Sequence, residues 1–582
     1  MKKNITFLIA TMLSIGLMAQ PQLEWAKNYG GFIADGSYSI VTDNEGNVYT
    51  AGYIMDSVNI NTLSGPLDLF TVGGSADVMV TKQDADGNFI WAKQMGGPMG
   101  ENAYSCAVDN SGNVYVTGVF LDTADFDPGS GIYELTSAGG FDIFICKLSS
   151  AGDFLWAKQI GGEGDADYGQ YLALDPADGS IYITGMFNGP ADFNPGSGVH
   201  MLYPAYAGDY DSYILKLDAD GNFIWAKSIT GNQFDTGTGL AADGNGNIYI
   251  SGVFSGETDF DPGEGEFILS SNNFGYTDGY VCKFNATDGR FIWAIQVGGP
   301  GNDWANSIAL DPAGNLLVTG EYYGDVDFDP GIEEFIVPGI GGYDIFVWKL
   351  DADGKLIWAK GFGGPDYEWG ASIAVDGSGN AYTTGHFMTT ADFDPGTGVY
   401  NLTAGAYHEV FISKLTSAGE FAWAMAFKGN QYYDLNIDDG TGIAVDADNN
   451  VYTTGSFESW VDVDPSPAIF YITAHDIPQS GMYFPDAFIH KLSQTTVGIP
   501  QLGATTFSLY PNPVKDLLTI DLGAEYSYLE AKIIDLTGKT LSTNIFNATS
   551  TVNLKMDVAP GIYLLQLKDK TGVIANLKVV KE

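Results

Sequence analysis

"QLEWAKNYGG" runs from Gln22 to Gly31, and it reads as half of a larger unit. Nearly the same phrase returns as "NFIWAKQMGG" (Asn88 to Gly97) and "NFIWAKSITG" (Asn222 to Gly231). There it follows a strand-like stretch such as "SYILKLDADG" (Ser212 to Gly221); the first copy has no such partner before it. Anchor tryptophans stand at Trp25, Trp91, Trp156, Trp225, Trp293, Trp358 and Trp423, 65 to 69 residues apart. A fixed period of this length signals a repeat architecture. Counted from Trp91, one repeat alternates as four strands: "AYSCAVD" (Ala103 to Asp109), "NVYVTGVF" (Asn113 to Phe120), "DIFICKL" (Asp142 to Leu148) and "DFLWAK" (Asp153 to Lys158). The joints "DNSGN" and "SSAGD" suit antiparallel hairpins.

Four antiparallel strands make a blade, and blades around an axis make a propeller. The third strand carries a lysine seven times: Lys82, Lys147, Lys216, Lys283, Lys349, Lys414 and Lys491. The last of these strands, "DAFIHKL" (Asp486 to Leu492), has no tryptophan strand after it. One missing half fits the other, so Leu23 to Lys27 is expected to supply the outermost strand of the last blade. The expected fold is therefore all-β: a seven-bladed β-propeller of four-stranded blades over residues 20–493, closed by the N-terminal strand. An open solenoid would need caps at both ends, and none is visible.

The 582 residues include 76 Gly and 33 Tyr, with 17% charged residues and a net charge of −47. That charge lies in the middle of the chain, because Thr505 to Glu582 holds eight Lys and eight acids. Such a surface repels nucleic acid and anionic lipid, and it attracts divalent cations. Residues 1–19 read as a secretory signal, with Lys2 and Lys3, an apolar stretch from Ile5 to Met18, and a small residue, Ala19, at the cut. No later run of ~18 apolar residues predicts a transmembrane segment. Cys106, Cys146 and Cys282 are expected to be buried and unpaired. Residues 494–504 read as a polar linker, and residues 505–582 as a small immunoglobulin-like β-sandwich.

Two sets of residues are candidates for binding. Asp-Phe-Asp-Pro-Gly occurs at Asp125 to Gly129, Asp259 to Gly263, Asp327 to Gly331 and Asp392 to Gly396, with variants beginning at Asp192 and Asp462. In extended chain the two acids of such a motif share a side and Phe points oppositely, into the blade. Asp125, Asp127, Asp192, Asp259, Asp261, Asp327, Asp329, Asp392, Asp394, Asp462 and Asp464 are thus either Ca²⁺ ligands or caps for turn amides. Tyr168, Trp304 and Trp369 share one position in the loops between blades, where Gly36, Asn102, Thr236 and Asp439 stand in the other repeats. Aromatics beside carboxylates suit stacking on sugar rings, so these three are the expected glycan contacts; wedging between blades is the alternative. The five histidines fall at unrelated repeat positions, and His386 and His490 read as tolerated strand residues. No catalytic motif is present, so the chain is expected not to be an enzyme.

"GNVYVTG", "DFDPG" and "KLDADGNFIWAK" resemble bacterial β-propeller repeats of the SBBP type, which imply a fold and no general activity. "LYPNP", "DLTGK", "PGIYLLQL" and the terminal "KVVKE" resemble the type A C-terminal sorting domain of the type IX secretion system of Bacteroidetes. That resemblance implies handling by the secretion machinery and export to the surface or beyond. A non-catalytic, exported propeller that binds glycan or protein through its acidic loop face is the expected function. A secreted carbohydrate-active enzyme and a purely structural surface protein are the alternatives.

Overall fold

The computed structural model describes residues 21–581, apart from 165, 273–274, 330, 332, 406, 430–437, 476–483, 495–507, 511–513, 535–538, 548, 560, 569 and 571–572. The expected signal segment and nearly all of the expected linker lie outside the described residues, as does part of the irregular stretch before Asp486. The chain divides into two compact units, one over Gln20–Gln494 and the other holding Thr495–Glu582.

Among the described residues the first unit holds seven sheets, each with a core of four antiparallel strands; in three of them a short hairpin joins the outer strand and brings the count to six. Sheet 2 shows the plan: an inner strand Asn102–Val108, then Val114–Phe120, Asp142–Leu148, and an outer strand Phe154–Gly162. The second and third strands are almost wholly buried, which explains their continuous Val, Ile, Tyr and Phe. Sheets 1 and 3 to 6 repeat the plan, with inner strands Gly36–Thr42, Asp167–Leu174, Asp235–Ala242, Trp304–Leu310 and Glu368–Val375. Sheet 7 takes Asp439–Val445, Val451–Phe457 and Asp486–Ser493 from the end of the unit and Gln22–Tyr29 from its beginning. The pairing is antiparallel, from Gln22 opposite Ser493 to Tyr29 opposite Ala487. Each inner strand lies against the inner strands of the sheets before and after it, and the seventh lies against the first.

Two devices join neighbouring sheets. Each third-strand lysine lies over a ring of its own sheet and reaches onward. Lys283 Nζ sits 5.0 Å from the centre of the Tyr249 ring and donates to Ala352 O of the next sheet at 2.9 Å. At the seam between sheets 7 and 1, Lys491 Nζ and Trp25 Nε1 both donate to Ala85 O at 3.0 Å. The second device is a short hairpin between the second and third strands, which reaches back to the preceding outer strand: Asp125 pairs with Gly96, Asp259 with Thr230, and Asp392 with Gly363.

In the loops between sheets, whose acidic face was the expected binding surface, the closing acid turns inward. Asp35, Glu101, Asp167, Asp303 and Glu368 are buried, and they accept loop amides, as in Gly97 N to Glu101 Oε2 at 3.0 Å and Gly364 N to Glu368 Oε2 at 2.8 Å. Folding the loop back on its own carboxyl satisfies amides that a buried loop would otherwise orphan. The three cysteines are buried and free.

The second unit holds a three-stranded sheet (Ser508–Tyr510, Leu517–Tyr526, Thr549–Lys555) and a four-stranded sheet (Thr540–Phe546, Leu529–Ile534, Gly561–Lys568, Val573–Lys581). Leu518, Ile520 and Val552 of the first share one core with Ala531, Leu565 and Val579 of the second.

Candidate functional site

All seven inner strands carry the same irregularity near their start. The register slips between Ser37 and Ser39, Ala103 and Ser105, Gly169 and Tyr171, Gly237 and Gly239, Ala305 and Ser307, Gly370 and Ser372, and Gly440 and Gly442. Such a bulge leaves one residue unpaired and re-aims its side chain. Here the unpaired residues include Tyr38, Tyr104, Gln170, Thr238 and Asn306, and all five line one cavity of about 400 Å³. Tyr168, Trp304, Trp369 and Asp439, two residues earlier in the repeat, line the same space.

The structure thus brings Tyr168, Trp304 and Trp369 together from three sheets. They belong to the first two residues of inner strands, a correction to their placement in loops. All three are half-buried. Tyr38 and Tyr104 pack at 5.4 Å between ring centres, and Tyr104 and Tyr168 at 6.3 Å, giving a continuous aromatic arc. Sequence reasoning missed Tyr38 and Tyr104. The bulge moves them onto the cavity wall, and strict alternation does not reveal a bulge.

The Asp-Phe-Asp-Pro-Gly carboxylates do not converge there. Asp125 Oδ1 accepts from Asp127 N at 3.0 Å and Tyr133 N at 2.8 Å, and Asp127 Oδ1 accepts from Gly129 N at 2.8 Å. Asp259 with Asp261, Asp327 with Asp329, Asp392 with Asp394, and Asp462 with Asp464 repeat this cap. Asp192 Oδ1 accepts from Asn194 N and His200 N at 3.0 and 2.8 Å. The Phe between the acids is buried in every one of these motifs that has it. Asp125 and Asp127 also border a larger groove of about 580 Å³, outside the ring of inner strands.

Beside the cavity stands a histidine pair that the repeat pattern did not flag. His386 of the second strand of sheet 6 stacks on His408, with ring centres 3.9 Å apart and planes 12° apart. Trp369 lies 5.2 Å from the His386 ring, and Tyr407 stacks on His408 at 4.8 Å. Asp439, from the next sheet, faces both histidines. Burial draws His386 below its ordinary value and so favours the neutral imidazole, against the pull of Asp439. Burial alone would raise Asp439, but its contacts with His386 and His408 outweigh that and hold the carboxyl below the usual range. His386 is therefore more than a tolerated strand residue. His490, by contrast, has Nε2 3.1 Å from Val463 O inside the sheet. Across from Trp304, Glu321 is buried with the Tyr367 hydroxyl 3.4 Å away, and burial pushes its carboxyl up to about 8.

Two family models match the chain: a β-propeller repeat over residues 292–321 and 357–393, and a secretion system C-terminal sorting domain over residues 508–582. The chain carries SBBP propeller repeats and a type IX sorting domain. That domain marks the propeller-repeat protein for type IX export, to the cell surface or the extracellular space. Among the described residues no helix is long and apolar enough to cross a membrane.

Among curated proteins, the chain is similar to WD repeat-containing protein L264 of Acanthamoeba polyphaga mimivirus, at 23% identity over 76% of the chain and 36% of the relative. It is also similar to regulatory protein FlaEY of Caulobacter vibrioides, at 24% identity over 55% and 35% respectively. The chain thus spans about a third of the length of these relatives. Among solved structures, Chaetomium thermophilum Raptor gives a TM-score of 0.40 at 8% identity, covering 82% of this chain and 30% of that one. A PL25 ulvan lyase with bound saccharide gives 0.30 at 12% identity, covering 71% and 87%. At these scores neither likeness bears on fold or activity.

Proposed function

We propose that the seven sheets are the blades of one closed propeller, that the tail is an immunoglobulin-like sandwich, and that the exported propeller is a non-catalytic module binding glycan in its axial cavity. One observation carries the binding reading: Tyr38, Tyr104, Tyr168, Trp304 and Trp369, from five different sheets, line a single cavity of about 400 Å³. Ligand sites are concave, largely apolar and aromatic, with few polar groups to orient the ligand. Aromatic faces cover the apolar faces of sugar rings, while Gln170, Asn306 and Asp439 offer hydrogen bonds to hydroxyls.

The test is a glycan array probed with the full chain, followed by titration of each binding glycan. Trp304→Ala and Trp369→Ala should each weaken binding at least tenfold, about 1.4 kcal/mol. Unchanged affinity in both variants, or no glycan bound by the wild-type chain, refutes the reading.

A carbohydrate-active enzyme is the second reading, and Glu321 favours it. Burial raises its carboxyl to about 8, the direction a general acid requires. Cleavage of a bound glycan by wild type and not by Glu321→Gln would establish it.

A further inference from the structure

Three side chains meet at the edge of the axial cavity, and the glycan reading leaves two of them, His386 and His408, without a role. Asp439 Oδ1 lies 2.7 Å from His386 Nδ1 and 3.6 Å from His408 Nδ1. One ligating atom from each residue falls within 4.8 Å of the other two. These contacts lie off hydrogen-bond geometry, and His386 Nε2 is buried with no hydrogen-bond partner. His386 is only 5% exposed. Buried polar atoms are normally hydrogen-bonded, and here several without such a bond converge on one point.

The repeat does not require these residues. The His386 position holds Tyr53, Val119, Met186, Val253, Glu321 and Ser456 in the other sheets. The residue before the third-strand acid, His408 here, is Ala76, Phe141, Tyr210, Thr277, Tyr343 or Pro485 elsewhere. The histidines therefore answer to something particular to this seam. Two imidazoles with one carboxylate suit a transition cation, whereas Ca²⁺ and Mg²⁺ take oxygen sets. Around tetrahedral Zn²⁺, bonded at about 2.0–2.1 Å, ligand atoms stand about 3.3 Å apart. The spacing seen, from 2.7 Å up to at most 4.8 Å, brackets that value.

We infer that His386, His408 and Asp439 form a site for one divalent transition cation of the Zn²⁺ class at the wall of the axial cavity. Three protein ligands leave a further position for water or a ligand oxygen, and Asp439 is itself a lining residue of the cavity. Tyr407 stacks on His408 and the tilted Trp369 ring packs on His386, holding the two imidazoles as groups around metal ligands do. The site stands on its own and does not depend on the glycan reading.

The full chain is stripped with EDTA and titrated with Co²⁺, whose tetrahedral complexes absorb in the visible. One saturable band per chain is expected, displaced by equimolar Zn²⁺ and retained in millimolar Ca²⁺. His408→Ala and Asp439→Asn should abolish the band and weaken Zn²⁺ binding at least tenfold by calorimetry, while His200→Ala binds as wild type does. The His408 side chain is 16% exposed and stacks on His386 and Tyr407, so a thermal melt checks that His408→Ala keeps the fold, and His408→Gln, which keeps most of the side-chain volume, serves if it does not. If Asp439→Asn does not fold, His408→Ala decides. A titration with no saturable band overturns the inference. So does Zn²⁺ binding that is equal in wild type and His408→Ala, which would be diffuse attraction to a chain of net charge −47.

Discussion

A single glycine shows how closely the cavity depends on backbone packing. Gly320 lies in the second strand of sheet 5, and a Cβ there would overlap the carbonyl oxygen of Trp304. The same overlap with the inner strand recurs at Gly52, Gly118, Gly185, Gly252, Gly385 and Gly455. Only a bare backbone lets the inner strand approach closely enough to form its bulge. Gly320→Ala should therefore destabilise the protein by about 1–3 kcal/mol and weaken whatever Trp304 binds. A urea melt and a ligand titration on the same sample check both effects. These glycines were visible in every repeat, as in "YVTG" and "YTTG", but their purpose was not. Trp304 and Trp369 were legible because a repeat aligns equivalent positions. His386, His408 and Asp439 were not, because they come from two strands and the residue just before a third, in two different sheets, and only folding brings them together.

At the scale of the strand, the lysines changed meaning. In sequence the seven third-strand lysines only marked the repeat. In the fold, Lys82, Lys216, Lys283 and Lys349 of the third strands are buried at the seams between sheets. Lys283 combines a ring contact with a hydrogen bond to the neighbouring sheet. Lys283→Met keeps the apolar stem and removes both, at a cost of about 1–3 kcal/mol. The effect should appear in equilibrium urea denaturation, and substituting Lys355, whose side chain is exposed, should change little. Strand count and order were readable from the tryptophan spacing. The hairpins that clasp the preceding sheet were not, because Asp-Phe-Asp-Pro-Gly shows the turn and hides the partner.

Across the whole molecule, buried acids set the response to pH. Burial pushes Asp35, Asp167, Asp278 and Asp303 up to about 7, and Glu101 and Glu368 up to about 8. An acid whose folded value exceeds its unfolded one binds protons more tightly when folded. Its contribution is present below the unfolded value, near 4, and is lost as pH rises through the folded value. Turn acids act oppositely: Asp43, Asp109 and Asp376 are held below their ordinary value by Asn side chains and turn amides, which outweigh burial. Their contribution is lost only as pH falls below about 4. The melting temperature should therefore peak at about pH 4 and decline steadily toward pH 8.5, the reverse of a protein held together by ionised surface pairs. A flat profile from pH 5 to 8 would contradict the burial of these groups.

The register of the seventh sheet has a mechanical consequence. Gln22 stands opposite Ser493, so the chain enters and leaves that sheet at the same end. Tension applied between Gln22 and Gln494 would load one ladder bond at a time and peel the strand like a zip, instead of shearing all its bonds together. An exported protein held at both ends would open at this seam under modest force, ahead of every other sheet, and could snap shut again when slack returns.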